Sequence, residues 1–162
     1  MAIIATIFFD GLCMPVNPGG YGAYGYVLYV NKEKHVGRGC LGQSETQTNN
    51  RAEYAGLGFA LRKLIEVRDE IARKEPNKAE VESLTILGDS MLIISQVTGK
   101  WQCKQETTQK ARERIHELIK QLNIKDDDWV ARWIPREANT EADVLSNEGY
   151  NIGTFNIEET RR

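Results

Sequence analysis

Histidine and cysteine are scarce in this 162-residue chain, which has only His35 and His116, and only Cys13, Cys40 and Cys103. The histidines lie far apart and no two cysteines have CxxC spacing. That excludes a zinc site of ordinary spacing and a disulfide framework. Reduced thiols are expected, and with them a cytoplasmic location. Long apolar runs are also missing. The first segment, MAIIATIFFDG, is apolar for about eight residues and lacks a basic lead-in or cleavage signal. It reads as a buried strand, and no membrane-spanning segment is expected. An excess of positive charge is the third absence: 21 Lys and Arg face 23 Asp and Glu, a formal charge of −2. Such a balance gives no global attraction for a polyanion, so a nucleic-acid partner would need local basic patches or bound cations.

What is present is an ordinary globular composition, 41% hydrophobic and 27% charged, in a length that buries one core. Residues 2–9 form a β-branched and aromatic run that ends at Asp10-Gly11, a strand and its turn. A Gly- and Pro-marked loop follows. Residues 21–30 and 35–42 then complete a three-stranded meander. From Asn50 to about Arg73 the period changes: Leu57, Leu61, Leu64, Ile65 and Ile71 make a helical stripe. Residues 83–88 read as a fourth strand, 90–97 and 106–122 as helices, 129–134 as a fifth strand, and 139–149 as a last helix. No period marks the residues after Gly149. The order β-β-β-α-β-α-α-β-α predicts an α/β fold built on a mixed sheet. Residues 1–150 are expected to be one domain and 151–162 a loosely held tail.

Four acids stand in unusual places. Asp10 and Asp89 close strands, and the ends of strands open onto ligand-binding crevices in such sheets. Glu53 lies four residues before Leu57 and so projects from the stripe that packs on the sheet. Asp143 lies in the first turn of the last helix. Each has an ordinary alternative: capping boxes for Glu53 and Asp143, an N-cap for Asp89, a turn for Asp10. If the four converge, their mutual repulsion calls for cations. Hard oxygen donors without His or Cys select Mg²⁺ or Mn²⁺. Two such ions about 3.5–4 Å apart are the apparatus of in-line phosphodiester cleavage.

Four pieces of sequence, in order, carry a resemblance: Phe9-Asp10-Gly11 with Asn17-Pro18-Gly19-Gly20; Thr48-Asn49-Asn50-Arg51-Ala52-Glu53; Gly88-Asp89-Ser90-Met91; and Asn139-x-x-Ala142-Asp143. The chain resembles type 1 ribonuclease H, in its single-domain, archaeal-like form, from about Ile3 to Gly149. The resemblance implies the ribonuclease H fold, a five-stranded mixed sheet with three antiparallel and then two parallel strands, and helices on both sides. It implies cleavage of the RNA strand of an RNA/DNA hybrid to 5′-phosphate and 3′-hydroxyl ends, with double-stranded RNA as another possible duplex. Asp10, Glu53, Asp89 and Asp143 then become catalytic acids holding two Mg²⁺ or Mn²⁺ ions. Asn17, Asn49 and Asn50 become readers of the minor groove and its 2′-hydroxyls, with Thr48 near a DNA phosphate. Met91 and Asn139 fall on the substrate side, and a monomer is expected.

The chain departs from the family in three ways. Between Trp129 and Asp143 there is no histidine, and Arg136 occupies the loop before the last acid. An arginine cannot be a base, but it can offset phosphate charge; otherwise it is a solvated loop residue. The lysine-rich protrusion of many members shrinks to residues 99–104. There Lys100 and Lys104 are candidates for phosphate contact. Trp101 packs either on a deoxyribose or into the core. With no hybrid-binding domain expected before Met1, affinity should be weak and salt-dependent. The run Asp126-Asp127-Asp128 reads as a solvated turn, because adjacent side chains diverge.

Overall fold

Period-2 alternation makes the first 43 residues an antiparallel meander: β1 (Ile3–Met14), β2 (Tyr21–Val30) and β3 (Glu33–Gln43) in the computed structural model, which describes residues 2–160. Asn31 turns the β2–β3 hairpin with φ of 56°, a left-handed conformation that asparagine tolerates. α1 (Asn49–Lys74) then crosses the sheet and returns the chain as β4 (Val81–Gly88), parallel to β1. α2 (Met91–Val97) and α3 (Glu106–Gln121) lead to β5 (Trp129–Trp133), parallel to β4, and α4 (Thr140–Thr160) follows. The spatial order is β3-β2-β1-β4-β5, the mixed sheet expected from the element order.

Helices cover both faces, as β2 demonstrates. Tyr24 stacks its ring on Phe59 of α1 at 4.6 Å, while a Cβ on the next residue, Gly25, would meet Ala142 and Leu145 of α4. Neighbouring strand residues point to opposite faces, so α1 and α4 lie on opposite sides. The core joins Ile3, Ile7, Phe9, Leu28 and Ile86 from the sheet with Leu57, Leu61 and Leu64 of α1 and Ile115 and Leu122 around α3, all fully buried. Each such side chain contributes about 1.5–3 kcal/mol relative to exposure.

Two boundaries differ from the sequence reading. β1 does not end at Phe9; it continues to Met14 because it keeps its antiparallel partner, Met14 facing Tyr21, after β4 has ended. α4 does not end at Gly149 either. It continues as helix to Thr160, and Thr154 is buried. No apolar stripe announced this stretch because the contact is made by small residues. A Cβ on Gly149 would come within 2.7 Å of the Gly39 carbonyl, and one on Gly153 within 2.2 Å of Cys40 Cβ. Helix and strand therefore approach closely, and ion pairs Lys34–Glu141 and Arg38–Glu148 flank the contact. Arg161 and Arg162 of the expected tail lie outside the described residues.

Candidate active site

The parallel pair β1·β4 ends at Phe9 and Gly88, and the next residue on each strand is an acid. Asp10 and Asp89 are thereby set side by side where two parallel strands part. Glu53 reaches them because α1 starts almost on top of β1. A Cβ on Gly11 would lie 2.3 Å from the Glu53 backbone nitrogen, so only glycine permits this approach. One carboxylate oxygen from each of Asp10, Glu53 and Asp89 lies within 4.8 Å of the others. Asp143, from the first turn of α4, completes the group. It lines the same cleft of about 370 Å³ with Asp10, Glu53, Asp89, Arg136, Asn49 and Asn147.

The capping roles open to Glu53 and Asp89 are taken by other residues. α1 is capped by Thr48, whose hydroxyl accepts from the Arg51 N–H at 3.1 Å, and not by an Asn50–Glu53 box. α2 is capped by Ser90, which accepts from the Ile93 N–H at 3.2 Å, and not by Asp89. Asp126–Asp128 form an exposed turn and join no carboxylate cluster among the described residues.

The electrostatics follow from burial. Glu53 is 7% exposed and its Oε2 has no hydrogen-bond partner among the described residues. Burial first, and then the charges of Asp10 and Asp89, push its carboxyl up to about 8, against the opposing pull of Ser90 and Arg136. Asp10 is raised to about 7 by burial, by Asp89 and by Asp143, although the Gly11 N–H at 2.9 Å favours its charged form. An all-oxygen donor set with a buried orphan oxygen and raised pKa values fits a hard divalent cation, which would discharge the repulsion.

Arg136 lies in an exposed 3-10 turn, Arg136–Ala138, close enough to favour the ionised form of Glu53. Asn139 differs from expectation. It is 1% exposed and its amide points inward, so it has no face to offer a duplex; its expected place on the substrate side is corrected. Asn17 and Asn49 hold each other: Asn17 Nδ2 donates to Asn49 Oδ1 at 2.9 Å, and the Asn49 N–H donates to Asn17 Oδ1 at 3.3 Å. Asn49 faces the acid cleft, whereas Thr48 and Asn50 line a neighbouring recess of about 580 Å³ with Arg51, Gln96 and Thr107. Met91 and Trp101 are each 44% exposed, which removes the core alternative for Trp101, and Lys100 and Lys104 are exposed beside it. Two contributors carried little sequence signal. Trp133 donates its indole N–H to the Asp89 carbonyl at 3.0 Å, and Asn147 donates to the Asp143 carbonyl at 2.9 Å from one turn along α4. Only the four-residue step from Asp143 to Asn147 was visible in advance.

The family model for RNase H matches residues 4–151. The chain belongs to the RNase H family. It is a type 1 RNase H, 32% identical over 143 residues to the Ribonuclease HI of Halobacterium salinarum. That alignment covers 87% of this chain and 61% of the relative; with other curated relatives the share falls to 39% and 31%. Among solved structures, RNase H1 of Halobacterium salinarum superposes with a TM-score of 0.68 at 27% identity, covering 93% of this chain and 98% of that one. LC11-RNase H1, solved in complex with an RNA/DNA hybrid, superposes with a TM-score of 0.71 at 25% identity, covering 92% and 98%. Among the described residues, no helix is long and apolar enough to cross a membrane.

Proposed function

We propose that this RNase H family chain is an endonuclease that hydrolyses the RNA strand of RNA/DNA hybrids to 5′-phosphate and 3′-hydroxyl products. The observation that carries this reading is the set of three convergent carboxylates, Asp10, Glu53 and Asp89, at the parting of β1 and β4, with Asp143 beside them. The hybrid bound by LC11-RNase H1 supports the substrate class. We place the catalytic domain at residues 1–150, with the last turns of α4 bracing β3.

In this mechanism Asp10, Glu53, Asp89 and Asp143 hold two Mg²⁺ or Mn²⁺ ions. The ions supply Lewis-acid stabilisation of the phosphate and a more acidic water. Glu53 and Asp10 must give up the protons that their burial favours before they can serve as ligands. Arg136, a guanidinium on the rim of the cleft, faces the scissile phosphate and offsets its charge. The locked Asn17–Asn49 pair presents amides at the cleft mouth to ribose 2′-hydroxyls, the groups that separate RNA from DNA. Lys100, Trp101 and Lys104 meet the DNA strand through phosphate contacts and stacking.

The test is cleavage of end-labelled RNA/DNA, RNA/RNA and DNA/DNA duplexes of one sequence, with Mg²⁺ or Mn²⁺. Cutting of the hybrid RNA strand with 3′-hydroxyl ends is expected. An intact hybrid, or equal cutting of DNA/DNA, would defeat the reading, and cutting of RNA/RNA would widen the substrate class to A-form duplexes.

A further inference from the structure

Asn139 is a buried polar residue that touches the candidate site from behind. Its Nδ2 donates to the Phe9 carbonyl at 2.9 Å and to Asp89 Oδ2 at 3.1 Å. Phe9 and Gly88 are the last pair of the β1·β4 ladder, so the amide bridges the strands just where their own hydrogen bonding stops. Its backbone is engaged as well. The Asn139 N–H donates to the Arg136 carbonyl at 3.0 Å and closes the 3-10 turn, while its carbonyl accepts from the Asp143 N–H at 3.2 Å and opens α4. One residue is thus bonded to the strand position before Asp10, to the Asp89 carboxylate, to the Arg136 turn and to Asp143.

The amide's orientation follows from chemistry. Both contacts are oxygen acceptors, so only an NH₂ group can face them, and a carbonyl or carboxylate oxygen there would set like partial charges together. The cost of this arrangement is visible at the other end of the side chain: Asn139 Oδ1 is buried and has no hydrogen-bond partner among the described residues. A group that merely filled the core would be apolar and would leave no such orphan.

We infer that Asn139 is a positioning residue, a strut that fixes the Asp89 carboxylate relative to Asp10 and keeps the carboxylates preorganised for divalent cations. The inference rests on the proposed nuclease reading. Because Asn139 is buried, it acts on cation binding and turnover and not on grip of the duplex. Partners of this kind, which orient a ligand without being one, typically change metal affinity or activity by about 10–100-fold when removed.

The experiment compares the parent with Asn139→Leu, close in volume but without a donor, and with Asn139→Ser, which is smaller and keeps one. Mn²⁺ affinity is read by isothermal titration calorimetry, and kcat and hybrid Kd by cleavage and anisotropy. The folded state is checked by thermal melting. For Asn139→Leu, Mn²⁺ affinity and kcat should each fall by about tenfold or more, with hybrid Kd within about twofold of the parent. Asn139→Ser should lie between the two. A folded Asn139→Leu protein with parental Mn²⁺ affinity and kcat would overturn the inference, as would one that loses hybrid affinity alone. Should Asn139→Leu not fold, Mg²⁺ titration of the ¹⁵N-labelled parent decides. The Asn139 side-chain NH₂ resonances must shift as the site fills, and unmoved resonances would overturn the inference. A parent that binds Mn²⁺ but cuts no hybrid would instead defeat the functional reading and leave the strut to be judged by cation affinity.

Discussion

The two helices that cover opposite faces of the sheet make contact with it in contrasting ways. α1 brings a carboxyl group into its contact: Glu53 is buried against β1, its Oε2 has no hydrogen-bond partner among the described residues, and its neighbours are other acids. α4 meets β3 through Gly149, Gly153 and Thr154, with oppositely charged residues paired at the margin. The ion pairs at the α4–β3 margin bring opposite charges together, so they need no added cation. At the β1–β4 junction the polar choices raise the energy of the chain, and they become sensible only when a cation is added. The difference separates a surface built for stability from one built for chemistry.

The sharpest way to break this contrast is to remove one acid. Asp10→Asn should abolish hybrid cleavage, a loss of about a thousandfold or more, yet melt at a higher temperature than the metal-free parent, since a buried repulsion disappears. End-labelled cleavage and a thermal melt on one preparation measure both. Equal activity would remove Asp10 from the site, and a lower melting temperature would show that the cluster is not under electrostatic load.

Next in size is the close approach that brings Glu53 into the cluster. Gly11→Ala places a methyl against the backbone of Ala52 and Glu53, which cannot give way as a side-chain tip can. A loss of about 3 kcal/mol in urea unfolding is expected, with activity falling as α1 shifts. A near-neutral effect would mean that α1 is free to move.

Then comes pH. In the metal-free protein the Asp10 carboxyl rises from 3.8 to about 7 and the Glu53 carboxyl from 4.5 to about 8. The folded state therefore binds more protons than the unfolded one between those values. The stability these groups contribute should be fully present below about pH 4 and lost progressively as pH rises through 7 to 8, by on the order of a few kcal/mol. Added Mg²⁺ should raise the melting temperature more at pH 8 than at pH 6. A metal-free stability profile that is flat between pH 5 and 8 would contradict the buried-carboxylate description.

The smallest effect belongs to the satisfied side. Glu148→Ala removes the half-exposed partner of Arg38 and should cost no more than about 1 kcal/mol, with cleavage unchanged. A larger loss would show that the α4–β3 contact depends on charge and not on its close glycine packing.

Much of the fold was legible because hydrophobic period survives in the sequence. Leu57, Leu61 and Leu64 marked α1, and the β-branched run before Asp10 marked β1. What escaped was packing done by residues without hydrophobic signature. Gly149, Gly153 and Thr154 carry α4 past its expected end, and no periodicity scan registers a contact made through missing side chains. The four acids were legible as positions, each with a competing role as a cap or turn. Thr48 and Ser90 took the caps at α1 and α2, an outcome decided by backbone geometry at the helix starts. Asn139 was legible as part of a motif but not as a buried strut, since burial is a property of what surrounds a residue.

By itself, the sequence determined the residue types available for chemistry: hard oxygen donors with no histidine in the last loop, an arginine in its place, and too little net positive charge to attract nucleic acid from a distance. It also determined the order of strands and helices, because local period and turn chemistry act over a few residues. The tertiary structure decided that Asp10, Glu53 and Asp89, 79 residues apart at the extremes, share one space small enough to change each other's protonation. It decided too which acids were free of capping duty and that Asn139 faces inward. Those facts depend on distances across the sheet and on burial, and both exist only once the chain has closed on itself.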